Sequence, residues 1–343
     1  MLAQRWLWYG GSAASRAARL ASYPASLMFR TAVSLHATAY RRGFLPVRRL
    51  ALPAISVGNL SVGGTGKTPI SNWMARTLQA RGHRPAIVLR GHGNDEAALH
   101  RKLAGPGIVV VEDPNRRRGV QRARNLSCDV AILDDAFQRL EIKPNLNVVL
   151  IGAESMNRRR LLLPAGPWRE DLRTLARADI LVVTRKTAEL DQAAALAQRL
   201  GASAQIPFAV AHLSVHCFHG LRARVRVEGA ELRGCRVLAV AGIAHPDLFH
   251  AQLEMLGMSV APLWRADHHR FSDREIGRIV QMGKEVDYVV VTEKDAVKLR
   301  NRWPAAVPEP LVAVLDVAWD VGQEMFLAAL SERSRESPEL MLG

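Results

Sequence analysis

The chain has 343 residues and is 48% hydrophobic, enough for two α/β lobes with real cores. Its three cysteines, Cys128, Cys217 and Cys235, lack C-x-x-C spacing, so a reducing compartment is expected and a disulfide framework is not. The net charge is +15 and lies unevenly: the first acidic residue is Asp95, and Lys67 and twelve arginines precede it. A basic face of this kind seeks nucleic acid, an anionic membrane or an anionic substrate.

The first fifty residues favour the membrane. Arg19, Arg30 and Arg41 recur every eleven residues, close to three helical turns, and Arg5 and Arg16 fall near the same angle. Leu7, Met28, Phe29, Leu35 and Tyr40 lie broadly on the other side, and Trp6, Trp8 and Tyr9 are residues that favour the headgroup level of a bilayer. Each arginine near an anionic surface is worth about 1 kcal/mol. Residues 1–48 are therefore expected to form a basic amphipathic arm lying in the interface. Pro24 is expected to interrupt it, leaving the better helix at about 25–42. No apolar run of about 18 residues and no signal-peptide h-region occurs, so neither a spanning helix nor a secretory signal is expected.

An apolar run, Leu52 to Leu60, then leads into Ser61-Val62-Gly63-Gly64-Thr65-Gly66-Lys67-Thr68. This is the layout of a phosphate-binding P-loop. Successive backbone N–H groups cradle a polyphosphate, and the following helix adds its positive end. Lys67 would reach the β- and γ-phosphates of a nucleotide, and Thr68 would offer its hydroxyl to Mg²⁺. Ser61 stands where the usual pattern begins with glycine.

Pro69 to Arg81 reads as a helix. Strands are expected at 85–89, 107–111, 129–133, 147–151 and 179–183, with a helix at 95–103. Continuous apolar strands alternating with helices predict a P-loop NTPase-like, doubly wound parallel sheet. Alternation over 212–227 about Gly220 reads as an antiparallel hairpin. Strands at 236–242, 288–292 and 311–315 predict a second, smaller α/β lobe. The expected division is an arm at 1–48, a P-loop core at 49–211, a two-stranded β linker at 212–228, the second lobe at 229–330 and a polar tail at 331–343.

Asp134-Asp135, ending the 129–133 strand, reads as a Walker-B-type acidic pair for Mg²⁺, against a helix N-cap. Asp95-Glu96 reads equally as a capping pair or as catalytic. In Asp267-His268-His269 a carboxylate would orient an imidazole for proton transfer, unless the pair of histidines is simply solvated. His212 and His216 fall on one strand face and Cys217 and His219 on the other, so they do not converge on a metal. Arg116-Arg117-Arg118 and Arg158-Arg159-Arg160 are solvated faces or phosphate clamps. Thr184-Arg185-Lys186-Thr187 and Thr292-Glu293-Lys294-Asp295 only approximate a guanine-reading motif, which disfavours a regulatory GTPase. No nucleic-acid-reading helix or stacking platform is visible, so no nucleic-acid partner is expected. No obligate protein partner is evident.

Six collinear segments resemble the tetraacyldisaccharide 4′-kinase family, the lipid A 4′-kinases. They are Val57-Gly58-Asn59-Leu60 with Gly63 to Pro69; Arg90-Gly91; Asp134-Asp135 with Phe137-Gln138; Leu163-Pro164-Ala165-Gly166-Pro167 with Arg169-Glu170; Ala241-Gly242-Ile243 with Pro246; and Thr292 with Lys294 to Leu299. The resemblance implies a kinase using ATP and Mg²⁺. Its acceptor would be the 4′-hydroxyl of a tetraacylated glucosamine disaccharide 1-phosphate, at the cytoplasmic face of the bacterial inner membrane. It implies that Asp95 and His268 cooperate to take the acceptor proton. Glu96 and Asp134 would hold Mg²⁺ with Thr68, and Asp135 would support metal or phosphate geometry. Gln138, Arg169 and Glu170 would line the acceptor or organise the centre, and one of Arg116, Arg117 and Arg118 would contact phosphate. The loop that usually precedes the family's Gly-Asp-Glu is missing before Asp95, which leaves Asp113 as an alternative carboxylate. Ala136 and Arg139 replace a frequent Gly and a frequent His.

Overall fold

The structure, a computed structural model, describes residues 2–91, 94–156, 160–223 and 225–336. Its contacts group the chain into two compact units. Unit 1 comprises Met1–Ala211 and Trp319–Gly343, and unit 2 comprises His212–Ala318.

Unit 1 begins with helices α1 (Leu2–Tyr9) and α2 (Ala13–Arg41). Strands and helices then alternate: β1 (Ala54–Asn59), α3 (Lys67–Ala80), β2 (Pro85–Leu89), α4 (Asn94–Ala104), β3 (Val109–Glu112), α5 (Arg116–Asn125), β4 (Val130–Asp134), β5 (Leu146–Gly152), α6 (Ala153–Met156), β6 (Ile180–Arg185) and α7 (Leu190–Ala204). The strand order is β6-β5-β1-β4-β2-β3, and every neighbouring pair is parallel. All residues of β1, β2 and β4 are buried, because helices cover both faces. One face packs Leu60, Phe137, Trp168 and Leu181, and the other packs Leu52, Val88, Val120 and Leu133. In register, Val57 of β1 lies beside Asp134 of β4. The glycine loop and the acidic pair therefore leave the same edge of the sheet, where open α/β folds bind ligands.

Pro24 does not interrupt the arm: α2 runs unbroken from Ala13 to Arg41. On the N-terminal side of the proline the Ser22 hydroxyl donates to Arg19 O at 2.9 Å. Ser26 fixes the helix beyond the proline to the loop at 162–165. It donates to Leu162 O and accepts from Ala165 N, both at 3.0 Å. Trp8 donates to Pro164 O at 2.9 Å, and Arg19 donates to Trp8 O and Gly10 O at the end of α1. These two residues are thus used within the chain itself.

The C-terminal residues also depart from the expected division. Helix α11 (Gln323–Arg335) belongs to unit 1 and takes up residues assigned above to the second lobe and the polar tail; 337–343 lie outside the described residues. The chain is held there by Arg185, which forms a two-pronged bond to Asp320 at 2.7 and 3.0 Å. Phe326 adds to this, stacking on Trp319 with ring centroids 4.7 Å apart.

Strand β7 (Phe208–Gly220) carries the chain into unit 2 and pairs antiparallel with β8 (Arg226–Glu228), forming the hairpin read from the alternation. There follow β9 (Arg236–Ala241), α8 (Pro246–Met255), β10 (Ser259–Trp264), α9 (Asp273–Met282), β11 (Tyr288–Thr292), α10 (Glu293–Leu299) and β12 (Leu311–Val321). Strands β10-β9-β11-β12 are parallel neighbours.

Candidate active site

The glycine loop forms because its glycines take conformations other residues avoid. Gly63, Gly64 and Gly66 have φ of 90°, 44° and 85°. Such left-handed backbone turns successive amides into one concavity. Side chains hold it from one side. Asn59 Nδ2 donates to Thr65 Oγ1 at 2.8 Å, Thr184 Oγ1 to Thr65 O at 3.0 Å, and Lys186 Nζ to Gly64 O at 2.9 Å. The imperfect guanine-type motif thus braces the P-loop. Glu154 anchors that brace by accepting the backbone N–H groups of Lys186, Thr187 and Ala188. Burial pushes the Glu154 carboxyl up, but these donors outweigh it and hold it below its ordinary value.

The loop at 161–170 supports the other side. Val62 N donates to Pro167 O and Arg169 N to Leu60 O, both at 2.8 Å, and Ser61 bridges Trp168. Gly166 lets the loop close, since a Cβ there would sit 2.2 Å from Leu161 O. The loop delivers Arg169, whose Nη1 is 3.0 Å from each Asp135 carboxylate oxygen. Lys67 Nζ, at the start of α3, is 3.5 Å from Asp135 Oδ1. Asp135 has φ of 51°, so the acidic pair turns sharply after β4. Burial raises the Asp135 carboxyl, but Lys67 and Arg169 prevail and hold it below its ordinary value.

Asp134 is buried beside this cluster. Its Oδ1 is 3.4 Å from Ser71 Oγ and 3.1 Å from Asp135 N, and its Oδ2 is 3.1 Å from His100 Nε2. Arg116 is buried and donates to the carbonyls of Asp134 and Asp113, with its Nε unpartnered. Burial lowers its pKa. Of its neighbours, Arg118 Nε pairs with Asp113 at 2.7 Å. Asp113, the alternative carboxylate, is buried, accepts from Asn115 N and is held low by Arg118. It pins the start of α5. Gln138 Nε2 donates to Asn59 O at 2.8 Å and lies 3.5 Å from Glu170. Glu170 is buried and paired with Arg177 at 2.6 Å, and the Arg177 guanidinium lies 4.5 Å from the centre of the Phe137 ring. Through Gln138 these groups are tied to the residue that ends β1, just before the P-loop.

Asp95 and Glu96 open α4. His100 on the same helix faces Asp134, and Glu96, one turn earlier, shares that face. His92, Gly93 and Arg158–Arg159 lie outside the described residues. In unit 2, Lys294 Nζ lies 2.7 Å from Asp267 Oδ1 and 3.1 Å from His268 Nε2. An ammonium only donates, so in this contact Nε2 is the acceptor. Asp295 is buried and accepts from Gly242 N, Thr292 Oγ1 and Lys298 Nζ. It joins two segments that carry the resemblance.

A family model described as tetraacyldisaccharide-1-P 4′-kinase (LpxK) matches residues 18–102 and 94–335.

The chain belongs to the tetraacyldisaccharide 4′-kinase family.

Relatives bearing the family name agree. The protein of Syntrophotalea carbinolica is 34% identical, covering 81% of this chain and 82% of the relative. That of Geobacter sulfurreducens is 34% identical, covering 87% and 89%. A solved structure of LpxK from Aquifex aeolicus in complex with ATP has a TM-score of 0.69 and 25% identity, and covers 92% of this chain and 99% of that one. Membership of the tetraacyldisaccharide 4′-kinases carries ATP-dependent 4′-phosphorylation in lipid A biosynthesis.

The residues fit ATP: a glycine cradle, a lysine and an arginine at one sheet edge make an anion site. They also fit Mg²⁺. Among the described residues no group of three or more His, Cys, Asp or Glu is placed to hold a metal alone. A few protein oxygens completed by substrate phosphates is how Mg²⁺ is usually bound. Asn72, His100, Glu154, Thr184 and Lys186 support the site, and the sequence reading assigned none of them to it. Only the near-guanine motif at 184–187 offered a signal.

Proposed function

We propose that the chain works as a peripheral enzyme, taking its glycolipid acceptor from an anionic membrane surface. Lys67 and Arg169 bind the phosphates of ATP, releasing Asp135 as they do so. Thr68, Glu96 and Asp134 hold Mg²⁺, which when bound neutralises phosphate charge and fixes its orientation. Arg116 backs the acidic pair rather than projecting toward the acceptor. Asp95 takes the proton of the 4′-hydroxyl, and His268 serves the same proton transfer. The convergence of Lys67 and Arg169 on Asp135 beside the glycine loop carries this reading, because a carboxylate there occupies the two cations that a phosphate would use.

The arm supports the membrane assignment. Leu20, Tyr23, Leu27, Met28 and Leu35 are exposed on a helix that has four arginines and no acid. No described helix is long and apolar enough to cross a membrane. An interfacial helix of this composition binds by buried apolar area plus attraction to anionic lipid.

Asp95→Ala and His268→Ala are each expected to cut turnover at least about a hundredfold with little change in ATP affinity. Near-normal turnover in both removes them from the base role. The full chain is expected to float with vesicles containing anionic lipid, and the double variant Met28→Asp, Leu35→Asp to remain behind. Equal flotation rejects the interfacial arm.

A further inference from the structure

His100 lies on α4, wholly buried, and no step above uses it. Its Nδ1 is 2.9 Å from Asn72 Nδ2, and its Nε2 is 3.1 Å from Asp134 Oδ2. The same Asn72 nitrogen lies 2.8 Å from the carbonyl oxygen of Thr68. A carbonyl only accepts, so the Asn72 group facing both partners is the NH₂. It has two protons, one for Thr68 O and one for the ring. His100 Nδ1 therefore accepts, and Nε2–H is the donor aimed at Asp134. Three hydrogen bonds thus run from the backbone of the P-loop threonine, through Asn72 and His100, to the acidic residue at the end of β4. The side chains of this relay lie in the interior: Asn72 and His100 are fully buried, and Asp134 is buried.

We infer that His100 is a positioning residue for Asp134. Its single fixed N–H holds Oδ2 in one orientation, with Ser71 and the Asp135 amide holding Oδ1. The remaining lone pairs of the carboxylate are left to a divalent cation bound with the nucleotide phosphates. Outer donors of this kind set the affinity of a metal site through the orientation of its ligand. The same contact fixes the rotation of α4 and thereby the face that carries Glu96. The inference rests on the reading of Asp134 as a Mg²⁺ ligand.

The test compares His100→Phe, which keeps a ring but loses the donor, with His100→Gln, whose amide both donates and accepts. Asp134→Asn is the reference. A fluorescent ATP analogue is titrated in EDTA and then against Mg²⁺, alongside thermal midpoints without ligand. His100→Phe is expected to bind the analogue in EDTA within about twofold of wild type but to need about tenfold or more Mg²⁺ for half-saturation. His100→Gln is expected to recover most of that loss, which a merely structural role would not produce. A wild-type Mg²⁺ titration in His100→Phe overturns the inference, as does an equal loss of binding with and without Mg²⁺. Should His100→Phe not fold, Asn72→Ala carries the test, because it keeps the ring but frees its tautomer. Weakened Mg²⁺ dependence supports the relay, and wild-type dependence overturns it. If Asp134→Asn itself leaves the Mg²⁺ titration unchanged, the reading of the metal site fails, and the inference about His100 with it. If only the His100 variants are silent, the metal site stands and the inference alone fails.

Discussion

Gly166→Ala probes how the P-loop is held, from a position outside it. The added Cβ would sit 2.2 Å from Leu161 O and 2.6 Å from Leu161 Cβ, more than an ångström inside ordinary contact with backbone that cannot swing away. Overpacking of this kind costs about 1–3 kcal/mol. Relief requires the 161–168 turn to move, which strains the two 2.8 Å backbone bonds from that loop to Val62 and Leu60. Each is worth about 0.5–1.5 kcal/mol. The combined loss is about 2–6 kcal/mol, which lowers the melting midpoint of a unit this size by at least about 4 °C. Scanning calorimetry and titration with a fluorescent ATP analogue read the two consequences: a lower midpoint and weaker nucleotide binding. Gly277→Ala is the control, because its Cβ meets nothing within 4 Å at an exposed position of α9. It is expected to stabilise by up to about 1 kcal/mol. A Gly166→Ala protein with wild-type midpoint and wild-type affinity refutes the claim that this loop supports the P-loop.

Thr65→Val keeps the shape of the side chain but removes the acceptor for Asn59 Nδ2, whose amide oxygen is already unpartnered. Urea unfolding is expected to show a loss of about 1–3 kcal/mol, and a loss under about 0.5 kcal/mol rejects the brace. Thr68→Ala is expected to raise the Mg²⁺ concentration needed for turnover; an unchanged titration counts against its hydroxyl as a metal contact. Glu275 in unit 2 accepts from Ser272 backbone and side chain, Arg265 and His269, which hold its carboxyl at about 2 rather than near 4.5 against the effect of burial. A carboxyl depressed by folding stabilises above its unfolded value and loses that contribution as pH falls through the folded one. Unit 2 should therefore lose stability between about pH 4.5 and about pH 2, and Glu275→Gln should be less stable at neutral pH but flatter across that window. Parallel melting curves for the two proteins would contradict this.

What the sequence made legible was local. Strands over 85–89, 147–151 and 288–292 are visible as largely apolar runs rich in valine and isoleucine because parallel strands are covered on both faces. The P-loop and Asp134-Asp135 are contiguous, so their chemistry is written in neighbouring letters. The supports are distant in sequence and meet only when the sheet assembles. Asn72, His100 and Asp134 come from two helices and a strand, and no spacing rule links them. Glu170 and Asp113 looked like site carboxylates, but only the fold shows Arg177 and Arg118 paired with them. Pro24 is accommodated because Ser26, just beyond it, is tied to the loop at 162–165, a contact that no local spacing announces. Helix α11 was hidden because its buried Phe326 finds its partner, Trp73, some 250 positions earlier in the chain.

The most direct measurement is ³¹P NMR of a tetraacylated disaccharide 1-phosphate incubated in detergent with ATP, Mg²⁺ and the full chain. A second phosphomonoester signal on the sugar, formed with one equivalent of ADP and absent with Lys67→Ala, is the predicted result. Folded protein that binds ATP yet leaves the lipid with its single phosphate would contradict the account.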